Sequence, residues 1–75
     1  MNAKRKKEIE KVISRLEEIK EELEYILEEE QEAYDNTPES LWETDRYTES
    51  EEAISAMEES ADNIGDAIDN LSDIC

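Results

Sequence analysis

The spacing of apolar residues constrains the fold of this chain more than any other feature. From Ile9 to Ala33 apolar positions recur at alternating steps of three and four, and no glycine or proline interrupts them. Such spacing places residues at the a and d positions of a heptad repeat, on one side of an α-helix. The positions are occupied by Ile9, Val12, Leu16, Ile19, Leu23, Ile26, Glu30 and Ala33, of which Glu30 alone is not apolar. We therefore predict a helix over about residues 4–35.

This apolar stripe is wider than a two-stranded coiled coil requires. Ile13, Leu27 and Tyr34 fall at e positions, beside the a positions. One neighbouring helix can shelter only one side of so wide a stripe, so we expect the first helix to have a second neighbour.

Residues 36–48 contain the signals that end one helix and begin another. The residue before Pro38 avoids the α-helical region, so the first helix should end before it. Thr37 and Pro38 make a favourable N-cap and first-turn pair for a short helical turn over residues 39–42. The sequence Thr-Glu-Ser-Glu at residues 48–51 matches a capping box and predicts a second helix over about residues 49–74.

The second helix repeats the heptad spacing, and two such helices joined by a short loop are expected to pack antiparallel. The predicted fold is all-α: one domain over residues 1–75, forming a coiled-coil-like two-helix hairpin with a short helical turn in its loop. The seam of the second helix consists of Ile54, Met57, Ala61, Ile64, Ile68, Leu71 and Cys75.

The small size of the chain favours self-association. A hairpin of 75 residues, of which 43% are charged, buries little apolar surface by itself. We expect a homodimer, most simply a four-helix bundle of two hairpins, or a higher oligomer. The predicted oligomer core consists of Ile9, Val12, Leu16, Ile19, Leu23, Ile26, Ile54, Met57, Ile64, Ile68 and Leu71.

Composition argues against catalysis and against metal or cofactor binding. The chain has no histidine and one cysteine, so it cannot assemble a Ser-His-Asp triad, a Cys-His dyad or a common zinc site. Its aspartates do not follow the spacing of an EF-hand loop. We therefore expect a protein that is not an enzyme, with no cofactor and no metal. Cys75 cannot form an internal disulfide, which leaves an intermolecular one open.

No targeting segment is evident. The basic run Lys4–Lys7 resembles the start of a signal peptide, but Glu8 and Glu10 follow it instead of an apolar segment. Nothing approaches the ~20 apolar residues of a membrane span. We expect a cytoplasmic protein with no membrane partner.

The net charge of −16 is unevenly distributed along the chain. Residues 1–20 carry seven basic and four acidic groups, whereas residues 21–75 carry one basic and twenty acidic groups. In an antiparallel hairpin Lys4–Lys7 would lie beside Asp66, Asp69 and Asp73, which predicts internal charge compensation. A basic tip that grips a phosphate and a disordered basic tail are the alternatives.

The acidic surface has two interpretations. Asp62, Asp66, Asp69 and Asp73 form a stripe opposite the apolar seam, and such a stripe is usually a solvated face. It can also bind a basic protein: 24 carboxylates along a rod of about 50 Å approach the charge density of duplex DNA, one per about 1.7 Å. A mimic of nucleic acid would not itself bind nucleic acid.

The loop contains residue types that are enriched in binding hot spots. Trp42 either seals the end of the bundle or projects toward a partner. The predicted partner-binding residues are Leu41, Trp42, Arg46, Tyr47, Asp62, Asp66, Asp69 and Asp73.

Two segments suggest a family. Residues 30–41, Glu-Gln-Glu-Ala-Tyr-Asp-Asn-Thr-Pro-Glu-Ser-Leu, are similar to the helix end and turn of small acidic helical-hairpin proteins of Gram-positive bacteria and their phages. Residues 51–54 and 66–71 resemble their second helix, whereas Thr37 and Trp42 depart from the pattern. The resemblance implies a phage or mobile-element accessory protein in a bacterial host cell, and it favours inhibition of a host defence protein. It carries over no site residues.

The sequence therefore predicts an acidic, non-enzymatic helical protein that binds another protein, with a basic nucleic-acid-handling protein as the expected target class. One alternative is a structural coiled-coil partner in an assembly. Another is an oligomeric sponge that holds a small anionic ligand where basic tips converge.

Overall fold

The computed structural model describes all 75 residues as two long helices joined by a tight turn. Helix α1 spans Ala3–Asp35, a 3-10 turn spans Glu39–Leu41, and helix α2 spans Asp45–Asp73. The helices pack antiparallel, and the Cα trace extends 59 × 14 × 14 Å. The predicted all-α hairpin with a short helical turn in its loop is confirmed.

Both ends of α1 are closed by side chains. The Asn2 side chain accepts a hydrogen bond from the Arg5 amide at 2.8 Å, so α1 begins one residue earlier than predicted. The Thr37 hydroxyl donates to the Ala33 carbonyl at 2.9 Å and satisfies one of the last helical acceptors. The prediction that Thr37 caps the following turn is wrong, because the 3-10 turn has no side-chain cap.

Helix α2 begins at Asp45, four residues earlier than predicted. The Thr44 hydroxyl accepts from the Tyr47 amide at 3.3 Å and is the N-cap. Thr48 lies inside the helix, where its hydroxyl donates to the Thr44 carbonyl at 3.4 Å, so the predicted capping box is wrong. The extra helical turn places Tyr47 between two other aromatic rings, a packing gain that local capping preferences do not include.

The interface between the helices is shallow. Only Ile54 and Ala61, both of α2, are buried. The α1 face that meets α2 consists of a and e positions, and these are half-buried: Ile9, Ile13, Leu16, Lys20, Leu23, Leu27, Glu30 and Tyr34. On α2 the half-buried residues of the predicted seam are Met57, Ile64, Ile68 and Leu71.

The three large apolar side chains at d positions of α1 remain uncovered. Val12, Ile19 and Ile26 are 43%, 49% and 52% exposed. Helix α2 thus covers one flank of the wide stripe on α1 and leaves the other flank open. These three belong to the eleven predicted oligomer-core residues. The other eight are buried or half-buried between α1 and α2 of a single hairpin.

Neither helix contains a segment long and apolar enough to cross a membrane.

Candidate functional site

Three aromatic rings stack at the turn and form what we call the aromatic cluster: Tyr34, Trp42 and Tyr47. The rings of Tyr34 and Tyr47 are nearly parallel, with centroids 4.4 Å apart, and those of Trp42 and Tyr47 are 6.2 Å apart. The indole Nε1 of Trp42 donates to the Thr37 carbonyl at 3.1 Å. Because Trp42 is still 48% exposed, it both packs on the turn and presents surface to solvent.

Hydrogen bonds tie this end of α1 to α2. The Tyr34 hydroxyl donates to the Glu51 carboxylate, and this bond raises the pKa of Tyr34 above its ordinary value. The Ser50 hydroxyl donates to Glu30 Oε1 at 2.6 Å. These bonds fix the helix register beside the aromatic cluster. The sequence pattern, which places Tyr34 at an e position of the apolar stripe, does not predict them.

A shallow cleft of about 500 Å³ adjoins the aromatic cluster and is lined in part by Tyr34, Leu41, Arg46 and Tyr47. Leu41 is 47% exposed, and the Arg46 guanidinium forms no ion pair. The structure therefore brings together the four predicted loop residues, Leu41, Trp42, Arg46 and Tyr47. Tyr34 joins them from α1.

The net charge differs strongly between the two ends of the hairpin. We call residues 21–60 the turn half; they carry sixteen acidic groups and one basic group, for a net charge of −15. Residues 1–20 and 61–75 form the open half, with seven basic and eight acidic groups, for a net charge of −1. Asp62, Asp66, Asp69 and Asp73 are exposed on the open half, far from the loop residues with which they were predicted to act.

The basic end of α1 is not neutralised by direct contacts. The only ion pair of the chain joins Lys20 Nζ to Glu24 Oε1 on the same helix, 3.9 Å apart. The predicted pairing of Lys4–Lys7 with Asp66, Asp69 and Asp73 is therefore wrong, because no ion pair joins these groups. The register explains this: Cys75 Sγ lies 3.8 Å from the Lys6 carbonyl, so α2 ends beside the basic run and most of its aspartates lie farther along the rod.

No group of three or more His, Cys, Asp or Glu residues is arranged to hold a metal ion. The turn end presents aromatic faces, one guanidinium without an ion pair and many carboxylates.

Comparison with known proteins gives no relative: no protein family, curated protein or solved structure matches the chain. The resemblance to the acidic hairpin proteins of Gram-positive bacteria and their phages stays a prediction that rests on residues 30–41, 51–54 and 66–71.

Proposed function

We propose that the chain acts by binding a protein with a basic surface, and that the turn half is its binding surface. The observation that carries this proposal is the concentration of charge. A net charge of −15 over about half of the 59 Å axis corresponds to about one charge per 2 Å. Duplex DNA carries one per about 1.7 Å, so a groove that accepts DNA would also attract this end of the hairpin.

The aromatic cluster and its cleft would add specificity to this attraction. Trp42 and Leu41 are half-exposed, and Arg46 has no ionic partner inside the chain. Tryptophan, tyrosine and arginine are over-represented in binding hot spots. The stack and the Trp42–Thr37 hydrogen bond already hold the rings, so binding would cost little side-chain entropy.

A protein of this kind would compete with nucleic acid for its partner. Its charge supports inhibition of a nucleic-acid-handling protein, and the resemblance noted in the sequence would make that partner a host defence protein. The chain itself would not bind nucleic acid.

A competition assay tests the proposal. The chain is titrated into complexes of a fluorescent duplex DNA with each member of a panel of purified basic DNA-binding proteins. We expect displacement of the duplex from at least one member, weakening as salt rises.

Two matched variants locate the surface. Glu43→Gln/Glu49→Gln/Glu52→Gln removes three exposed charges from the turn half, and Asp62→Asn/Asp66→Asn/Asp69→Asn removes three from the open half. We expect only the first to weaken displacement, by about tenfold if each lost charge pair contributes about 0.5 kcal/mol. Equal effects of the two variants, or no displacement from any member, would contradict the proposal.

A second candidate function is a structural role in an assembly, in which the apolar surface of α1 pairs with another helical protein. The half-exposed d positions of α1 favour it. Charge changes in the turn half would then have little effect, whereas a charge at Ile19 would abolish function.

A further inference from the structure

Three of the four d positions of α1 carry large apolar side chains that are exposed, and we call this row the outer stripe: Val12, Ile19 and Ile26. Each side chain is about half exposed, and the stripe extends about 21 Å at 1.5 Å per residue. Its two outer members are placed symmetrically, because Ile19 is the middle residue both of the stripe and of α1, which spans Ala3–Asp35. A two-fold axis beside Ile19 and perpendicular to the helix would therefore place Val12 of one copy opposite Ile26 of the other. The two α1 helices would overlap along their whole length.

The charges of α1 distinguish between the possible occupants of this surface. Residues 1–20 have a net charge of +3, and residues 21–35 carry eight acidic groups and no basic one. The seven basic groups of residues 1–20 make a single ion pair, within α1 itself, between Lys20 and Glu24. An occupant that complements this helix must be acidic beside residues 1–20 and basic beside residues 21–35. Helix α1 of a second copy, turned antiparallel, has this pattern.

We propose that the outer stripe is a homodimer interface in which α1 packs antiparallel on α1 of a second copy, with the two-fold axis at Ile19. Val12 of one copy then packs against Ile26 of the other, and the two Ile19 side chains meet at the axis. Arg15 and Glu22, which flank the stripe on the side away from α2, face each other across the axis. The result is a four-helix bundle in which each α1 lies between its own α2 and α1 of the other copy.

The antiparallel arrangement also separates the largest charges. A parallel pairing would place the two turn halves, each with a net charge of −15, side by side. The antiparallel pairing places them at opposite ends of the dimer and leaves both aromatic clusters accessible. It also keeps the basic tips apart, which removes the converged anion site of the sponge hypothesis.

The first test is the molar mass in solution. Light scattering of the unmodified chain should give twice the chain mass of 8.7 kDa. Ile19→Glu should give a monomer, whereas Ile74→Glu, which alters an isoleucine of nearly equal exposure at the end of α2, should leave the dimer intact. A monomeric unmodified chain at high micromolar concentration would overturn the proposal and leave the stripe to another protein.

The second test fixes the direction of the helices and does not require a destabilising charge. In a Cys75→Ser background, Ile19→Cys should form a disulfide-linked dimer on mild oxidation, because the two positions meet at the axis. Val12→Cys should not link to itself, but a mixture of Val12→Cys and Ile26→Cys chains should form mixed dimers. Efficient self-linking of Val12→Cys would indicate parallel helices and overturn the proposal.

The native Cys75 provides a third test on the unaltered sequence. Its thiol is exposed and lies beside Lys6, 13 residues from Ile19 along α1. Spin labels on Cys75 should therefore be about 40 Å apart in the antiparallel dimer, at 1.5 Å per residue on each side of the axis. A separation below half of this value would contradict the antiparallel arrangement.

Discussion

The two halves of the hairpin are held together in different ways. The turn half, with a net charge of −15, has the aromatic cluster and two side-chain hydrogen bonds between the helices, Tyr34–Glu51 and Ser50–Glu30. The open half, with a net charge of −1, has apolar contacts between the helices and one polar contact, from Cys75 Sγ to the Lys6 carbonyl. Directional contacts are thus concentrated where like-charge repulsion is strongest. The comparison teaches that the acidic end depends on directional contacts of specific side chains, whereas the open end depends on apolar packing.

The largest expected effect is loss of the one large buried side chain. Ile54→Ala should lower the free energy of unfolding by about 2–4 kcal/mol, because it leaves a cavity in the turn half. Ile74→Ala, on the half-exposed isoleucine of the open half, should change it by less than about 0.5 kcal/mol. Urea denaturation at one fixed protein concentration measures both, since dimerisation makes stability concentration-dependent. Equal losses would contradict the burial of the Ile54 side chain between the helices.

The aromatic cluster should contribute the next largest effect. Tyr47→Leu removes both ring stacks and should cost about 1–3 kcal/mol, at 0.5–1.5 kcal/mol for each pair. Tyr25→Leu is the matched control, because Tyr25 is 64% exposed and stacks on no ring. Hydrogen exchange should also show faster opening of residues 44–50 in Tyr47→Leu only. Equal denaturation midpoints for the two variants would contradict a role of the stack.

In the open half, one substitution should stabilise the protein. A Cβ at Gly65 would meet only Lys20, with Nζ at 3.5 Å and Cε at 3.6 Å, which is ordinary contact with a flexible side chain. Gly65→Ala should therefore raise the free energy of unfolding by about 0.5–1 kcal/mol through helix propensity alone. Ala53→Gly, at an exposed position of α2, should lower it by a similar amount. A destabilised Gly65→Ala protein would show that close packing at this position requires glycine.

The smallest expected effect is a pH dependence confined to the turn half. The bond to Glu51 raises the pKa of Tyr34 above its ordinary 10.0, so the folded chain keeps a proton that the unfolded chain releases. This contribution to stability is complete below the ordinary pKa and is lost as pH rises toward the folded value. Denaturation at about pH 8 and pH 11 should show a larger loss for the unmodified chain than for Tyr34→Phe. Identical losses would mean that the bond does not favour the protonated phenol.

The parts of the fold that depend on local pattern could be predicted from the sequence. Heptad spacing predicts both helices, and Pro38 with its neighbours predicts the break between them. Local signals alone do not decide between Thr44 and Thr48 as the N-cap of α2. The stacking of Tyr47 on Tyr34, thirteen positions away across the turn, favours Thr44. The role of Thr37 was missed for a local reason: its hydroxyl can close the helix before it or cap the turn after it, and it bonds to the Ala33 carbonyl of α1.

The candidate site was only partly predictable. The residue types of the loop indicate a contact surface, but Tyr34 joins it through tertiary packing. Val12, Ile19 and Ile26 are exposed because α1 contacts α2 through its a and e positions. Heptad spacing alone does not show whether the a and d or the a and e positions form the contact. The missing ion pairs at the basic end depend on the helix register, which places Cys75 beside Lys6.

The division of charge gives a single hairpin an electric polarity as well as a net charge. In the field of a basic surface, the half with −15 is attracted far more strongly than the half with −1, so the rod experiences a torque. It would turn its aromatic end toward the surface before the two molecules touch, within a screening distance of about 10 Å at 0.1 M salt. An antiparallel dimer cancels this polarity by symmetry, so only the free hairpin would align in an electric field.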